Sequence, residues 1–165
     1  MRKINNFKEE DIYCIIEIPK NSRVKYEFNE EFGMIEYDRT LQTAMDYPGN
    51  YGFIPDTMGG DDDPLDVILY NEYPIYPNTL IKIRIIGALE MMDEGKEDYK
   101  ILAVPIQNKK INDINDIPES FLLITKHFFQ NYKMNKLGEV ETGDWINKKS
   151  AIKVLKDGIS LCKNI

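Results

Sequence analysis

The chain has 165 residues, within the range of one domain, and is long enough to bury roughly 70% of its unfolded surface without metal or disulfide staples. Its residues are 42% hydrophobic, 11% aromatic and 30% charged, which excludes disorder as the main state. With 21 Lys and Arg against 28 Asp and Glu, the net charge of −7 argues against a sequence-independent grip on nucleic acid or an anionic membrane.

Cys14 and Cys162 lie at opposite ends of the chain with no metal-ligand spacing, so packed, reduced thiols are expected. The N-terminal stretch has no apolar run of signal-peptide length. The most apolar segment, Thr79 to Met92, is interrupted by Lys82, Arg84 and Glu90, so no membrane span is expected and the protein reads as cytoplasmic. Without an internal repeat or a Ser/Gly linker, residues 1–165 read as a single domain.

In chain order, the first element is a β-rich run, Ile12–Ile18, stopped by Pro19. In Val24–Phe28, Val24, Tyr26 and Phe28 share one face and Lys25 and Glu27 the other. Met34–Arg39 is a third strand, and Tyr47–Phe53 reads as a turn-rich loop with two phenols. Strands follow at Asp66–Tyr70, Leu80–Met92 and Tyr99–Val104, the last two joined as a hairpin through Asp93–Asp98 and its Gly95. The tail reads as helical. Asp116 and Pro118 start one helix, with Phe121, Ile124, Phe128 and Tyr132 on one stripe. A second helix opens near Asn147, with Ile152, Leu155, Ile159 and Cys162 on its apolar stripe. Strands first and helices last predict an α+β, mainly β fold, with helices on a small closed or nearly closed antiparallel sheet.

Some charges occupy positions where the alternation expects apolar side chains, and such violations tend to mark functional sites. Glu17 shares its strand face with Tyr13 and Ile15, and Arg39 shares one with Ile35 and Tyr37. The strongest local signal is Asp61-Asp62-Asp63-Pro64-Leu65-Asp66 running into Val67-Ile68-Leu69. Four carboxylates so close repel one another unless a cation sits among them. In an extended segment, Asp61 and Asp63 point to one side and Asp66 opens the strand, a pattern suited to hard divalent ions such as Mg²⁺. An EF-hand is excluded, because its sixth loop position needs glycine and Asp66 stands there. A second acidic set, Asp93 through Lys100, puts Asp98 and Lys100 on one strand face; it gains meaning only if the fold brings it beside Asp61–Asp66. His127, the only histidine, reads as a partly buried helix or interface residue rather than a catalytic base. GxSxG, Walker A and GxGxxG patterns are absent.

Taken together these segments resemble the soluble, Mg²⁺-dependent inorganic pyrophosphatases of the barrel type, in their short prokaryotic form. The likeness rests on Asp61–Val67, which fits D-x-D-P-x-D plus an aliphatic residue. It extends to Glu17 with Pro19, Lys25-Tyr26-Glu27, Asp38-Arg39, Tyr47 through Gly52, Asp93 through Lys100, His127-Phe128-Phe129 and Tyr132-Lys133, all in the family's order. The segment Met134–Asp144 departs most from the family's forms. The resemblance implies a five-stranded OB-like closed barrel with flanking C-terminal helices, and hydrolysis of pyrophosphate to two orthophosphates. It implies metal ligation by Asp61, Asp66, Asp93, Asp98 and Asp63, with Glu17 and Glu27 holding metals through water or orienting that shell. Asp63 is also implied as the base for the attacking water, supported by a hydrogen bond from Tyr47. Lys25, Arg39, Tyr51, Lys100, Tyr132 and Lys133 are implied to grip phosphate oxygens, and a homohexamer is the implied assembly.

The seven carboxylates and four of the cations (Lys25, Arg39, Lys100 and Lys133) sum to −3. An anionic substrate enters such a site only with about three or four Mg²⁺, Mn²⁺ being a possible substitute. Two ions at Asp61 and Asp66 would then activate one water, which attacks phosphorus directly with no phosphoenzyme. A single-strand nucleic-acid binder on an OB-like barrel is opposed by the acidic charge. A non-catalytic cation module leaves Arg39, Lys25 and Lys133 without a reason.

Overall fold

The computed structural model describes residues 3–7, 12–133 and 139–164. Its strands are β1 (Ile12–Ile18), β2 (Val24–Asn29), β3 (Met34–Thr40), β4 (Asn50–Ile54), β5 (Leu65–Leu69), β6 (Thr79–Asp93), β7 (Lys96–Glu97), β8 (Lys100–Pro105) and β9 (Val140–Asn147). The helices are α1 (Glu119–Asn131) and α2 (Lys148–Lys163). β1 pairs with β4, β4 with β5, β5 with β8, β8 with β6, and β6 returns to β1. Five strands therefore close into a ring, the closed sheet that the resemblance implies. All of these pairings are antiparallel except β5–β8, which is parallel.

The 15-residue β6 closes the ring by serving several partners in turn. Its first residues pair with β1, its middle with β8, and its end with β9 and the short β7. Register shifts at Ile85/Gly87 and Leu89/Met91 bend it, as bulges do in strands that turn corners. The β2–β3 hairpin forms a separate two-stranded sheet.

Strand alternation sorts the interior into two cores. Leu65, Val67 and Leu69 of β5 and Ile101 and Ala103 of β8 pack with Ala151 and Leu155 of α2. Ile68, Leu102 and Val104 belong to the other core, with Tyr47, Tyr51, Phe128, Phe129 and Tyr132. Asp66 and Lys100 have the parity of Ile68 and Leu102, so the second core is where both charges emerge. Cys14 is fully buried, and both cysteines are free.

Most predicted strands lie within a residue or two of their observed limits, and the hairpin through Gly95 is present. Asn50–Ile54 is a wholly buried strand rather than a loop. Its glycine is the reason turn chemistry misleads there. A Cβ on Gly52 would sit 1.9 Å from the Ile15 carbonyl oxygen, so Gly52 serves the close approach of β1. Helices do not simply follow strands, because β9 lies between α1 and α2 and extends the sheet along β6. Of the divergent segment Met134–Asp144, residues 134–138 lie outside the described residues and Val140 onward belongs to β9.

Two local readings of α1 are corrected. Asp116 does not cap it: Asp116 and Asp113 form a capping box on a single 3-10 turn, and Pro118 stands at the N-cap of α1. The buried face is Thr125, Phe128 and Phe129, which leaves Ile124 60% exposed and His127 at the surface. α2 starts as expected, the Asn147 side chain accepting a hydrogen bond from the Ser150 amide at 2.9 Å. Asn147→Ala should therefore lower the unfolding free energy in urea by about 1 kcal/mol and leave turnover unchanged.

Candidate active site

The site begins at the mouth of the second core, where β5 and β8 run in parallel. Asp66 is directly paired in register with Lys100, so both side chains leave the ladder on the same side. Asp98, two residues before Lys100, projects to that side as well, and the Asp61–Pro64 loop delivers Asp61 from the start of β5. One carboxylate oxygen each from Asp61, Asp66 and Asp98 lies within 4.8 Å of the others. The second acidic set thus does reach the first.

Lys100 sits among them with only 2% of its side chain exposed. Its ammonium donates to Asp66 Oδ2 at 2.7 Å, to both oxygens of Asp98 at 3.0 Å, and to the Tyr51 hydroxyl at 2.9 Å. It also lies over the rings of Tyr51 and Phe129. An ammonium has three donors, and here they meet three partner residues. The phosphate contact that the resemblance implies for Lys100 therefore has no donor left in this geometry. Burial works against the Lys100 charge, but Asp66, Tyr51 and Asp98 outweigh it and hold the pKa well above the ordinary lysine value. Burial raises the Asp98 carboxyl, opposed by Lys100 beside it. Burial also pushes the Tyr51 phenol up.

Glu17 enters from β1 at a backbone irregularity. Ile16 pairs with Gly52 and Ile18 with Tyr51, so Glu17 is the extra, unpaired residue of a bulge. Ile15 pairs with Phe53 and Phe53 with Asp66, so Ile15 faces the Asp66 side that Glu17 also reaches, as alternation expects. The residue whose parity the bulge shifts is Ile18. Glu17 is 8% exposed, and among the described residues its carboxylate accepts a hydrogen bond from the Phe28 amide at 2.7 Å. Burial pushes its pKa up to about 7, with Asp66 and Glu27 adding in the same direction. Asp61 and Asp63 are raised as well, chiefly by burial and then by carboxylate neighbours that include Asp66.

The cations come mainly from the β2–β3 hairpin and from the chain after α1. Lys25 and Arg39 are register partners. Asp38, which carries no role in the resemblance as read from sequence, holds both: Lys25 Nζ at 2.7 Å and Arg39 Nη1 at 3.6 Å. The hydrogen bond from Lys25 is the main reason the Asp38 carboxyl lies below its usual range. A carboxylate beside an arginine that faces a lysine across a hairpin was the signal for it. Glu27 is exposed and 3.8 Å from Lys25.

Lys133 is hydrogen-bonded to Asp93 Oδ2 and lies over the Tyr132 ring. Asp93 is not part of the carboxylate trio, yet its Oδ1 is buried without a hydrogen-bond partner among the described residues. Tyr132 is 8% exposed and stacks on Phe128. Tyr47 is 1% exposed, packed against Tyr51 and Phe128, and its hydrogen bond to Asp63 is not among those of the described residues.

The residues present fit a divalent cation. Hard oxygen donors converge in the trio, and Asp93 Oδ1 is a buried acceptor with nothing to accept from among the described residues. Asp61, Asp66 and Asp98 can bind a metal ion. No helix of the described residues is long and apolar enough to cross a membrane.

Comparison with known proteins points the same way. Residues 14–163 match the family model described as inorganic pyrophosphatase. An inorganic pyrophosphatase of Rickettsia bellii is 42% identical over 164 residues, covering 95% of this chain and 92% of that one. One from Sulfolobus acidocaldarius is 45% identical over 140 residues, covering 82% and 78%. The crystal structure of the inorganic pyrophosphatase from Thermus thermophilus superposes with a TM-score of 0.90 at 34% identity, covering 98% of this chain and 96% of that one. The ring of five strands with two helices is the OB-like fold of these neighbours. With nearly the whole chain matched in sequence and in fold, the protein belongs to the inorganic pyrophosphatase family, enzymes that hydrolyse pyrophosphate to phosphate.

Proposed function

We propose that this chain carries out its family's reaction as one domain over residues 1–165, by direct attack of an activated water on pyrophosphate and with no phosphoenzyme. The observation that supports this most is the convergence of Asp61, Asp66 and Asp98 within 4.8 Å, at the end of a core whose rim carries Lys25, Arg39 and Lys133. A site for an anion built on carboxylates needs divalent cations to bind its substrate at all.

Mg²⁺ is the proposed ion, about three or four per site with substrate, and Mn²⁺ a substitute. Asp61, Asp66, Asp98 and Asp93 would hold it, with Asp63, Glu17 and Glu27 completing the acidic shell. Bound there, Mg²⁺ supplies two things: a lowered pKa for a water, and charge neutralisation at phosphate.

The chain's own residues do the rest. Asp63 takes the proton of the attacking water, a role suited to a solvent-exposed carboxylate beside Asp61 and Asp66. Lys25 and Arg39 trade Asp38 for phosphate oxygens, and Lys133 with Tyr132 holds the departing phosphate. Tyr51 shapes the floor of the site through Lys100, and Tyr47 stiffens that floor by packing. The proposed setting is the cytoplasm, and the proposed assembly a homohexamer; Leu123 and Ile124 on α1, 62% and 60% exposed, are available for such contacts.

Orthophosphate release from pyrophosphate, with Mg²⁺ titrated from zero and ATP run in parallel, tests the reading. Fast release that requires Mg²⁺, with little from ATP, is expected. Folded protein that releases nothing at any Mg²⁺ or Mn²⁺ level would refute it.

A further inference from the structure

Lys100 is the one ammonium of the described residues that lies inside the carboxylate cluster, bonded to two of the three aspartates that converge there. Its three donors are used on Asp66, Asp98 and Tyr51, and only 2% of the side chain is exposed. An ammonium placed so deep reaches solvent, or a phosphate above the site, only by abandoning two charged partners in a low-dielectric setting. Parallel pairing of β5 with β8 puts Lys100 next to Asp66 in the ladder, so this location comes from the backbone register and not from a chance rotamer.

We propose that Lys100 is a built-in counter-cation of the metal site: its ammonium holds Asp66 and Asp98 together when no metal is bound and opposes divalent cations at that pair. Lys100 is then a positioning residue that keeps metal binding weak enough to be reversible, and its contribution to phosphate binding runs through the carboxylates. The two carboxylates need a cation between them in every state, and Lys100 provides it before metal arrives. This inference rests on the reading of Asp61, Asp66 and Asp98 as metal ligands.

Calorimetric titration of substrate-free protein with Mg²⁺ and Mn²⁺ tests it, with melting in chelator and in saturating Mg²⁺ alongside. Lys100→Met keeps the stem and removes the charge. Its tightest cation site should bind at least about tenfold more tightly than in the natural chain, since a positive charge beside that site has gone. Its Tm in chelator should fall, and the rise on adding Mg²⁺ should exceed that of the natural chain. Lys100→Arg, which keeps the charge, should stay within a few fold of the natural affinity. A folded Lys100→Met protein that binds cations no more tightly, and gains no more from Mg²⁺ on melting, overturns the proposal. Folding of that variant only when Mg²⁺ is supplied supports it. If it folds under neither condition, Lys100→Gln, neutral but still able to donate to Asp66, decides on the same two readouts. Asp66→Asn in the natural background separates the underlying reading: cation affinity unchanged by that substitution removes the metal site itself, whereas weakened affinity with no gain in Lys100→Met removes only the role of Lys100.

Discussion

Asp63→Asn should fold normally and lose turnover by about 10²–10⁴, the usual contribution of a general base. Folding should survive because the Asp63 carboxylate accepts no hydrogen bond among the described residues. Its backbone does the local work, the amide donating to Asp61 Oδ1 at 3.2 Å and the carbonyl accepting from the Gly59 amide at 2.7 Å. Replacing the carboxylate by a carboxamide also relieves repulsion with Asp66, Glu27 and Asp62. The loss should fall on kcat more than on KM, because the carboxamide keeps the shape of the side chain and only its proton affinity is gone. Steady-state rates against pyrophosphate at saturating Mg²⁺ between about pH 6 and 9 measure this; a variant with natural kcat at neutral pH would remove Asp63 as the base.

Glu17→Gln should make the metal-free protein more stable at pH 8, by about 3 kcal/mol if the whole pKa elevation is relieved. Glu17 is buried beside other acids, and its pKa rises from 4.5 in an ordinary setting to about 7. Well below 4.5 the carboxyl is protonated folded and unfolded alike, so Glu17 costs nothing through charge. As pH rises from there to about 7, the unfolded chain releases its proton while the folded chain retains it, and stability falls. Above about 7 both are ionised and the full cost stands. The advantage of Glu17→Gln should therefore grow from pH 5 to pH 8, and it should shrink when Mg²⁺ supplies the missing positive charge. Chemical unfolding at pH 5 and pH 8, with chelator and with Mg²⁺, reads all four conditions. Equal stability of the two proteins at pH 8 without metal would show that the Glu17 charge carries no burial cost.

Such a cost is what the proposed cation site would exact when its ions are absent, and it would explain why charge defied the strand patterning at Glu17. Arg39 defied it too, for a different reason: it stands 44% exposed at the edge of a hairpin with Asp38 beside it. Only the first of the two is a buried charge that needs a partner.

The sequence by itself determined whatever is written along the chain. Alternation and β-rich composition located β1, β2, β3, β5, β6 and β8, and the helical stripes located α1 and α2. The acidic run before β5 named Asp61, Asp63 and Asp66, and ordered motifs named the family. Tertiary structure decided what depends on which segments meet. β4 and β9 take their identity from the strands beside them, and Gly52 is chosen by the closeness of Ile15 rather than by a turn. The bulge beside Glu17, which brings Ile18 onto the face of Ile15, is a mismatch between two strands, invisible in either alone. Asp66 and Lys100 are 34 residues apart, and only the parallel register of β5 on β8 sets one beside the other. Propensity acts over a few neighbouring residues, while the pairing that closes a ring is a choice among distant partners made by burial. That choice set Lys100, which the resemblance implies as a phosphate ligand, among the carboxylates of Asp66 and Asp98.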